Sequence, residues 1–531
     1  MQLHLTHLFH FLRILSSRAS DSNTAGTVTL ASGSPTVQFK PPNSASNAQN
    51  VSQGFIGFAI EMLILPTYGG VDQPNKFSGN LMSAISSRTG APIHIRVGGT
   101  SMDNSIFNAS SDKAITVTTS PPSRADNCRL GSNRTIGGPW LSGFRNYNPG
   151  TRFTVEVPLA RNHPVNRASF LKACIDAIPG GTQQLDAIEI GNEPDLYPKF
   201  PRLPCAPPHR HSGYGPADYS AEWKAAARNL SKEVDALNDK HTWYQAMVFS
   251  TTVDPKLWNV SAMWNDIDQG RFVKTVSQHY YQTDSSGSLP DDLMNHSKTV
   301  SEMESRFEST ISFLEPRGIP FIIGEGNSAI GLPGNRRPVL DSSLGAALWT
   351  ADFMMNAMAM GIKRVSLTPP WQVVNTTDET KSVRGTWYGH VFTADFIGTG
   401  GDLQVHRLPV NDSHPNIASY AGYNSGLLAT FAVLDMRFWN GTNETGRPAV
   451  NIELANLDAG ITGARVSRLT APEGSNALAN ISWAGKQWSA DNEGQEPKGN
   501  DSVVVKVANG SLAESVSIFA SQGILLQMIR S

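Results

Sequence analysis

The chain has 531 residues, 39% hydrophobic and 17% charged, enough apolar material for a large buried core and more than one domain. Lys+Arg number 43 and Asp+Glu 45, so no basic field exists to hold nucleic acid or an anionic surface by charge. No apolar run reaches the roughly 18–20 residues that cross a bilayer, and no membrane span is expected.

Residues 1–26 read as an atypical leader: Leu3–Leu15 is apolar in part but interrupted by His4, His7, His10 and Arg13. Residues 27–53 form an N-terminal extension in which Thr27–Phe39 alternates like a strand able to join a distant sheet. From residue 54 short apolar runs recur at Gly54–Met62, Pro92–Gly98, Phe153–Leu159, Ala187–Gly191, Tyr244–Val253, Thr275–Tyr281, Pro320–Gly324 and Arg364–Thr368. Segments of helical period lie between them, among them Asn166–Ile178, Ala217–Asn238, Lys298–Pro316 and Ser342–Met360. Eight strand–helix units over 54–400 predict a (β/α)8 TIM barrel, an α/β fold. An open doubly wound sheet is the alternative, but no Gly-rich phosphate loop follows the first strand.

Over 401–531 the texture changes to short β-type runs between Gly, Asn, Asp and Pro turns: Val450–Leu454, Ala464–Leu469, Ala479–Trp483, Ser502–Ala508 and Val516–Leu526. This predicts a C-terminal antiparallel β-sandwich. Three cysteines, Cys128, Cys174 and Cys205, permit at most one disulfide, and their spacing does not choose the pair. Thirteen Asn-x-Ser/Thr sequons predict a secreted, N-glycosylated surface.

Two glutamates stand at strand ends. Leu185-Asp-Ala-Ile-Glu-Ile-Gly-Asn-Glu-Pro194 leaves Asn192 and Glu193 at the carboxyl end of the fourth strand, and Pro320-Phe-Ile-Ile-Gly-Glu-Gly326 does the same for Glu325 on the seventh. The carboxyl ends of barrel strands are where such folds build active sites. Two carboxyl groups facing each other across a barrel mouth suit glycoside hydrolysis. One protonates the departing oxygen; the other attacks the anomeric carbon or activates water. This chemistry asks for no cofactor and no metal. Cys205-Ala-Pro-Pro-His-Arg-His211 offers metal-type side chains, but no second ligand pair at zinc-like spacing, and reads as a cleft wall.

Gly57-Phe-Ala-Ile-Glu-Met62, Ile95-Arg-Val-Gly-Gly99 with Asp103, Ile190-Gly-Asn-Glu-Pro-Asp195, His279-Tyr-Tyr281, Gly324-Glu-Gly-Asn-Ser328 and Ile481-Ser-Trp-Ala-Gly485 resemble fungal members of glycoside hydrolase family 79. That family includes β-glucuronidases, 4-O-methyl-glucuronidases and heparanases, and the resemblance runs from about Gly54 to Leu526. It implies a barrel plus β-sandwich, a retaining double displacement and a glycan substrate. Glu193 would be the acid/base and Glu325 the nucleophile; Asn192 would hold the sugar 2-hydroxyl, and Glu61 would bind sugar hydroxyls. Tyr280 or Tyr281 would donate to the nucleophile, and Arg96 would either support its charge or satisfy a buried acid.

Two segments depart from the family pattern. The loop Ser328-Ala-Ile-Gly-Leu-Pro-Gly334 lacks the Gly/Ser/Cys character that receives a uronate carboxylate, and Pro333 has no N–H. After strand eight the chain reads Leu367-Thr-Pro-Pro-Trp371, where Trp371 either stacks on a sugar or packs. The functional expectation is an exo-β-glucuronidase or 4-O-methyl-glucuronidase. Its rivals are a heparanase-like endo-enzyme and a non-catalytic carbohydrate-binding protein on the same scaffold.

Overall fold

The computed structural model describes residues 33–119, 132–199, 208–238, 242–250, 256–330, 338–373, 381–409, 413–441 and 446–531. The leader over 1–26 therefore lies outside the described residues, as do Cys128 and Cys205. Cys174 is a free, buried thiol.

Eight strands close into a barrel: β1 (Ile56–Glu61), β2 (His94–Gly98), β3 (Arg152–Val157), β4 (Leu185–Ile190), β5 (Tyr244–Phe249), β6 (Val273–Asp284), β7 (Phe321–Ile330) and β8 (Arg364–Leu367). Neighbours pair in chain order and in parallel, with β8 returning to β1. Each strand starts within two residues of the sequence expectation, because each is a buried run bounded by turn formers. The ends differ by three residues or more for three strands: β5 stops at Phe249, short of the expected Val253. β6 and β7 continue to Asp284 and Ile330, paired beyond the acid that was expected to close β7.

Among the described residues, helices of two turns or more, α1 (Lys76–Thr89), α2 (Pro164–Ala177), α3 (Pro216–Glu233), α4 (Val260–Ile267), α5 (His296–Leu314), α6 (Leu344–Met360) and α7 (Thr386–Ile397), follow every strand but the second, after which only the short α-helices Thr100–Asp103 and Ser142–Arg145 occur. Side chains of Asn75, Asn259, Asn295 and Ser343 cap four of them by accepting first-turn N–H groups. α6 is apolar almost all round and buried on nearly every face. It is held against α7 at Gly389, where a Cβ would lie 2.4 Å from the Ala347 carbonyl. After β2, Ser105–Asn108, Ile115–Thr119 and Ser132–Gly137 form a small sheet where the regular repeat led us to expect a helix. Their Thr- and Ile-containing alternation favours strand over helix.

The C-terminal sandwich has a nine-stranded sheet and a three-stranded one, closed over Phe39, Phe431, Ile452 and Ile524. Thr36–Phe39 pairs in parallel with Ala449–Leu454, and Gln49–Val51 pairs with Leu403–Arg407. The expected single run Val516–Leu526 is two strands, Val516–Phe519 and Gln522–Arg530, in different sheets. Ser521 turns the chain between them at φ 58°. Among the described residues no helix is long and apolar enough to cross a membrane.

Candidate active site

Glu193 reaches the barrel mouth by a tight turn after β4. Gly191 adopts φ 77°, and a Cβ there would lie 2.6 Å from the Tyr197 hydroxyl. Glu193 itself is left-handed at φ 47°, a conformation that costs a non-glycine residue about 1–2 kcal/mol. The surroundings enforce it: the Glu193 N–H donates to the Val248 carbonyl (3.0 Å). Buried Asp103 accepts the N–H groups of Leu159 (2.6 Å), Ala160 (2.8 Å) and Asn192 (3.2 Å), together with the Tyr197 hydroxyl.

Glu325 arrives from β7, in register with His279 of β6. Its Oε1 accepts from the Tyr281 hydroxyl (2.8 Å) and its Oε2 from Arg96 Nη1 (2.6 Å). The nearest oxygens of Glu193 and Glu325 and a nitrogen of His279 all lie within 4.8 Å of one another. Burial pushes the Glu325 carboxyl up, but the charges of His279 and Arg96, with the hydrogen bonds from Tyr281 and Arg96, outweigh it and hold it below the usual range. Glu325 is thus favoured as a carboxylate, with one protein donor on each oxygen.

Beneath the acids lies a polar layer that the sequence did not single out as a network. Arg96 on β2 donates through Nε to Glu189 (2.9 Å) and through Nη2 to Asn192 Oδ1 (2.7 Å) and, at 3.5 Å, to Glu156. Gln245 donates to the other oxygen of Glu189. Gly98 keeps the space for Glu156, whose Oε2 would lie 2.3 Å from any Cβ there. The only signal was a charged residue at an inward position of each of β2, β3 and β4.

Of the expected binding residues, Asn192 is buried beside Glu193, with its amide nitrogen donating to Thr100 Oγ1 (3.3 Å). Glu61 ends β1 and accepts the Leu63 N–H (2.7 Å). Burial raises its pKa against the Ser101 and Leu63 hydrogen bonds and the Arg134 charge, and the Glu325 charge adds to the rise. His209 lines a narrow recess with Glu193 and Asn192, as a cleft wall.

Two expectations are corrected. Tyr280 faces outward: side chains alternate along β6, so Tyr281 enters the mouth while Tyr280 stacks on Phe353 (5.1 Å) and donates to Gln282 (2.5 Å). Trp371 is fully buried, edge-on to Phe58 (4.9 Å), with its indole donating to Ser78 of α1 (3.0 Å). An indole removed from water in this way packs the barrel and presents no face to a sugar.

A (β/α)8 barrel carrying a β-sandwich, with two carboxyl groups converging at the strand ends, is the build of a glycoside hydrolase. Residues 419–525 match the glycosyl hydrolase family 79 C-terminal beta domain. The chain is 27% identical over 520 residues to a β-glucuronidase of Aspergillus niger, covering 92% of this chain and 91% of that protein. A β-glucuronidase of Neurospora crassa is 26% identical over 497 residues, covering 84% and 86%. The fold matches a 4-O-α-L-rhamnosyl-β-D-glucuronidase from Fusarium oxysporum with TM-score 0.74 at 20% identity, covering 92% of this chain and all of that one. The C-terminal domain thus matches that of glycoside hydrolase family 79, and the chain over most of its length is similar to these β-glucuronidases.

Proposed function

We propose that the protein is a secreted, retaining exo-β-glucuronidase or 4-O-methyl-glucuronidase that releases terminal β-linked uronic acid from oligo- or polysaccharides. The observation that carries this reading is that a carboxyl oxygen of Glu193 and one of Glu325 lie within 4.8 Å of each other, which supports the shorter of the two carboxyl spacings. Carboxyl groups about 5–5.5 Å apart suit a covalent glycosyl-enzyme, whereas inversion needs about 6.5–9.5 Å to seat a water. Glu325, ionised and held by Arg96 and Tyr281, attacks the anomeric carbon. Glu193 protonates the glycosidic oxygen as that bond breaks, then takes a proton from the water that displaces Glu325. Two relatives named β-glucuronidase support the sugar, and exposed sequons such as Asn50, Asn108 and Asn440 support a glycosylated, secreted chain.

Paired aryl β-glucuronide, β-glucoside and β-galactoside substrates test this reading, with the anomer of the first-formed product read by NMR. Release of β-glucuronic acid from the glucuronide alone is expected. An α product, or preference for a neutral sugar, overturns it, and glycan binding without release from any aryl glycoside favours a non-catalytic binding protein. Glu325→Gln should abolish turnover; a fully active variant removes the nucleophile assignment.

A further inference from the structure

His279 is fully buried on β6, with Nδ1 3.0 Å from Glu193 Oε1 and 3.9 Å from Glu325 Oε1. The charged groups acting on it come from three other strands: Glu193 beyond β4, Glu325 on β7 and Arg96 on β2. Burial disfavours a charged ring. The Glu325 charge, with the hydrogen bond to Glu193 and its charge, outweighs burial and Arg96 and raises the imidazole pKa above its ordinary value. A ring with hydrogen on Nδ1 has its N–H aimed at Glu193 Oε1 at 3.0 Å.

We propose that His279 is a positioning residue for the acid/base: its Nδ1–H donates to Glu193 Oε1, so that the exchangeable proton of Glu193 resides on Oε2. The inference rests on the reading of Glu193 as acid/base. A neutral carboxyl bears one proton on one of its two oxygens, and an oxygen already accepting an N–H is the poorer place for it. In the first step the Oε2–H bond breaks and the proton passes to the departing glycosidic oxygen, which takes the electron pair of the C–O bond. The carboxylate left on Glu193 is stabilised by the same N–H, a charge-assisted bond. In the second step water bonds to the anomeric carbon, its proton returns to Oε2, and the ester to Glu325 breaks. The proton on His279 stays on the ring throughout.

The test is a leaving-group comparison, because a general acid matters for a poor leaving group and little for a good one. His279→Leu removes the donor, while His279→Asn places an amide N–H where Nδ1 stood. With a methyl glycoside kcat/KM of the Leu variant should fall about 100-fold, and with a dinitrophenyl glycoside less than about fivefold. The Asn variant should recover most of the loss. Equal losses on both substrates, full activity of the Leu variant on the methyl glycoside, or no recovery with Asn overturns the proposal. Should the Leu variant fail to fold by circular dichroism, His279→Gln, whose amide falls at the far ring nitrogen, must show the same split. The substrates carry whichever sugar the native chain cleaves. Inactivity on glucuronides therefore counts against the functional reading, and the leaving-group split alone judges His279.

Discussion

Arg96 Nη1 lies 2.6 Å from Glu325 Oε2, and the same guanidinium donates to Glu189 and Asn192, so the nucleophile is tied to the barrel interior through one cation. Arg96→Met should cost about 3–5 kcal/mol of stability, because Glu189 is left buried without its cation. It should also act on rate. Glu325 is held below the ordinary carboxyl pKa. Its ionisation adds stability above that ordinary value, and this is lost as pH falls through the lower folded one. Removing a cation raises the carboxyl pKa, so the acid limb of kcat/KM against pH should move upward. Arg96→Lys should move it less, since charge survives while the fork does not. An unmoved limb in both variants would show that Arg96 does not set the charge of Glu325.

Adjacent tyrosines make a paired control. Tyr281→Phe removes a donor from Glu325 and should lower kcat/KM about 10–100-fold with little change in unfolding. Tyr280→Phe should leave kcat/KM within about twofold and cost about 1 kcal/mol for the lost bond to Gln282. Steady-state kinetics beside urea unfolding of the two variants separates the roles. Reversed effects would place the wrong ring in the mouth.

That pair marks the boundary of what the sequence discloses. Strand starts were legible because apolar runs such as Ile56–Ile60 are bounded by polar or glycine residues, and the positions of Glu193 and Glu325 in the mouth follow from them, although β7 runs on past Glu325. The direction of Tyr280 and Tyr281 was not, because it depends on register, and β6 shifts register against β7 between Gln278 and His279. Trp371 was ambiguous because its partner Ser78 is 293 residues away. The Arg96 layer joins residues 60, 93 and 229 positions apart, which pattern reading along one strand does not connect. The small sheet after β2 broke a repeat that the other seven units kept.

Trp371→Ala should destabilise the chain by about 3–5 kcal/mol through the cavity it opens between Phe58 and Trp387. Trp371→Phe should cost about 1–2 kcal/mol, mostly the indole bond to Ser78. In both variants KM should stay at the native value wherever the protein is folded. A several-fold rise in KM for Trp371→Phe with unchanged stability would return this ring to the sugar.

Glycan mapping by mass spectrometry of protein secreted from a eukaryotic host should find occupancy among the exposed sequons Asn50, Asn108, Asn440, Asn480, Asn500 and Asn509. Asn229 lies half-buried within α3, with its Oδ1 enclosed, and should carry none. Glycan at Asn229 in folded protein would contradict the packing of that helix.

Glu156 offers the sharpest test of the layer beneath the acids. It is fully buried; its Oε2 accepts the Gly99 N–H, and its Oε1 has no hydrogen-bond partner. Burial drives its pKa well above the ordinary carboxyl value; Arg96 opposes the rise, while Asp103 and Glu189 add to it. The folded chain therefore keeps a proton that the unfolded chain releases, and stability should decline as pH climbs from the ordinary carboxyl range towards the folded pKa. Glu156→Gln carries a neutral amide of the same shape and has no proton to release. Near pH 5 it should lie within about 1 kcal/mol of the native chain. By pH 8 it should have gained on the native chain in urea unfolding, because only the native protein bears the linkage cost. Parallel pH profiles for the two proteins would mean that Glu156 is ionised in the fold and that Arg96 balances one more negative charge than this account allows.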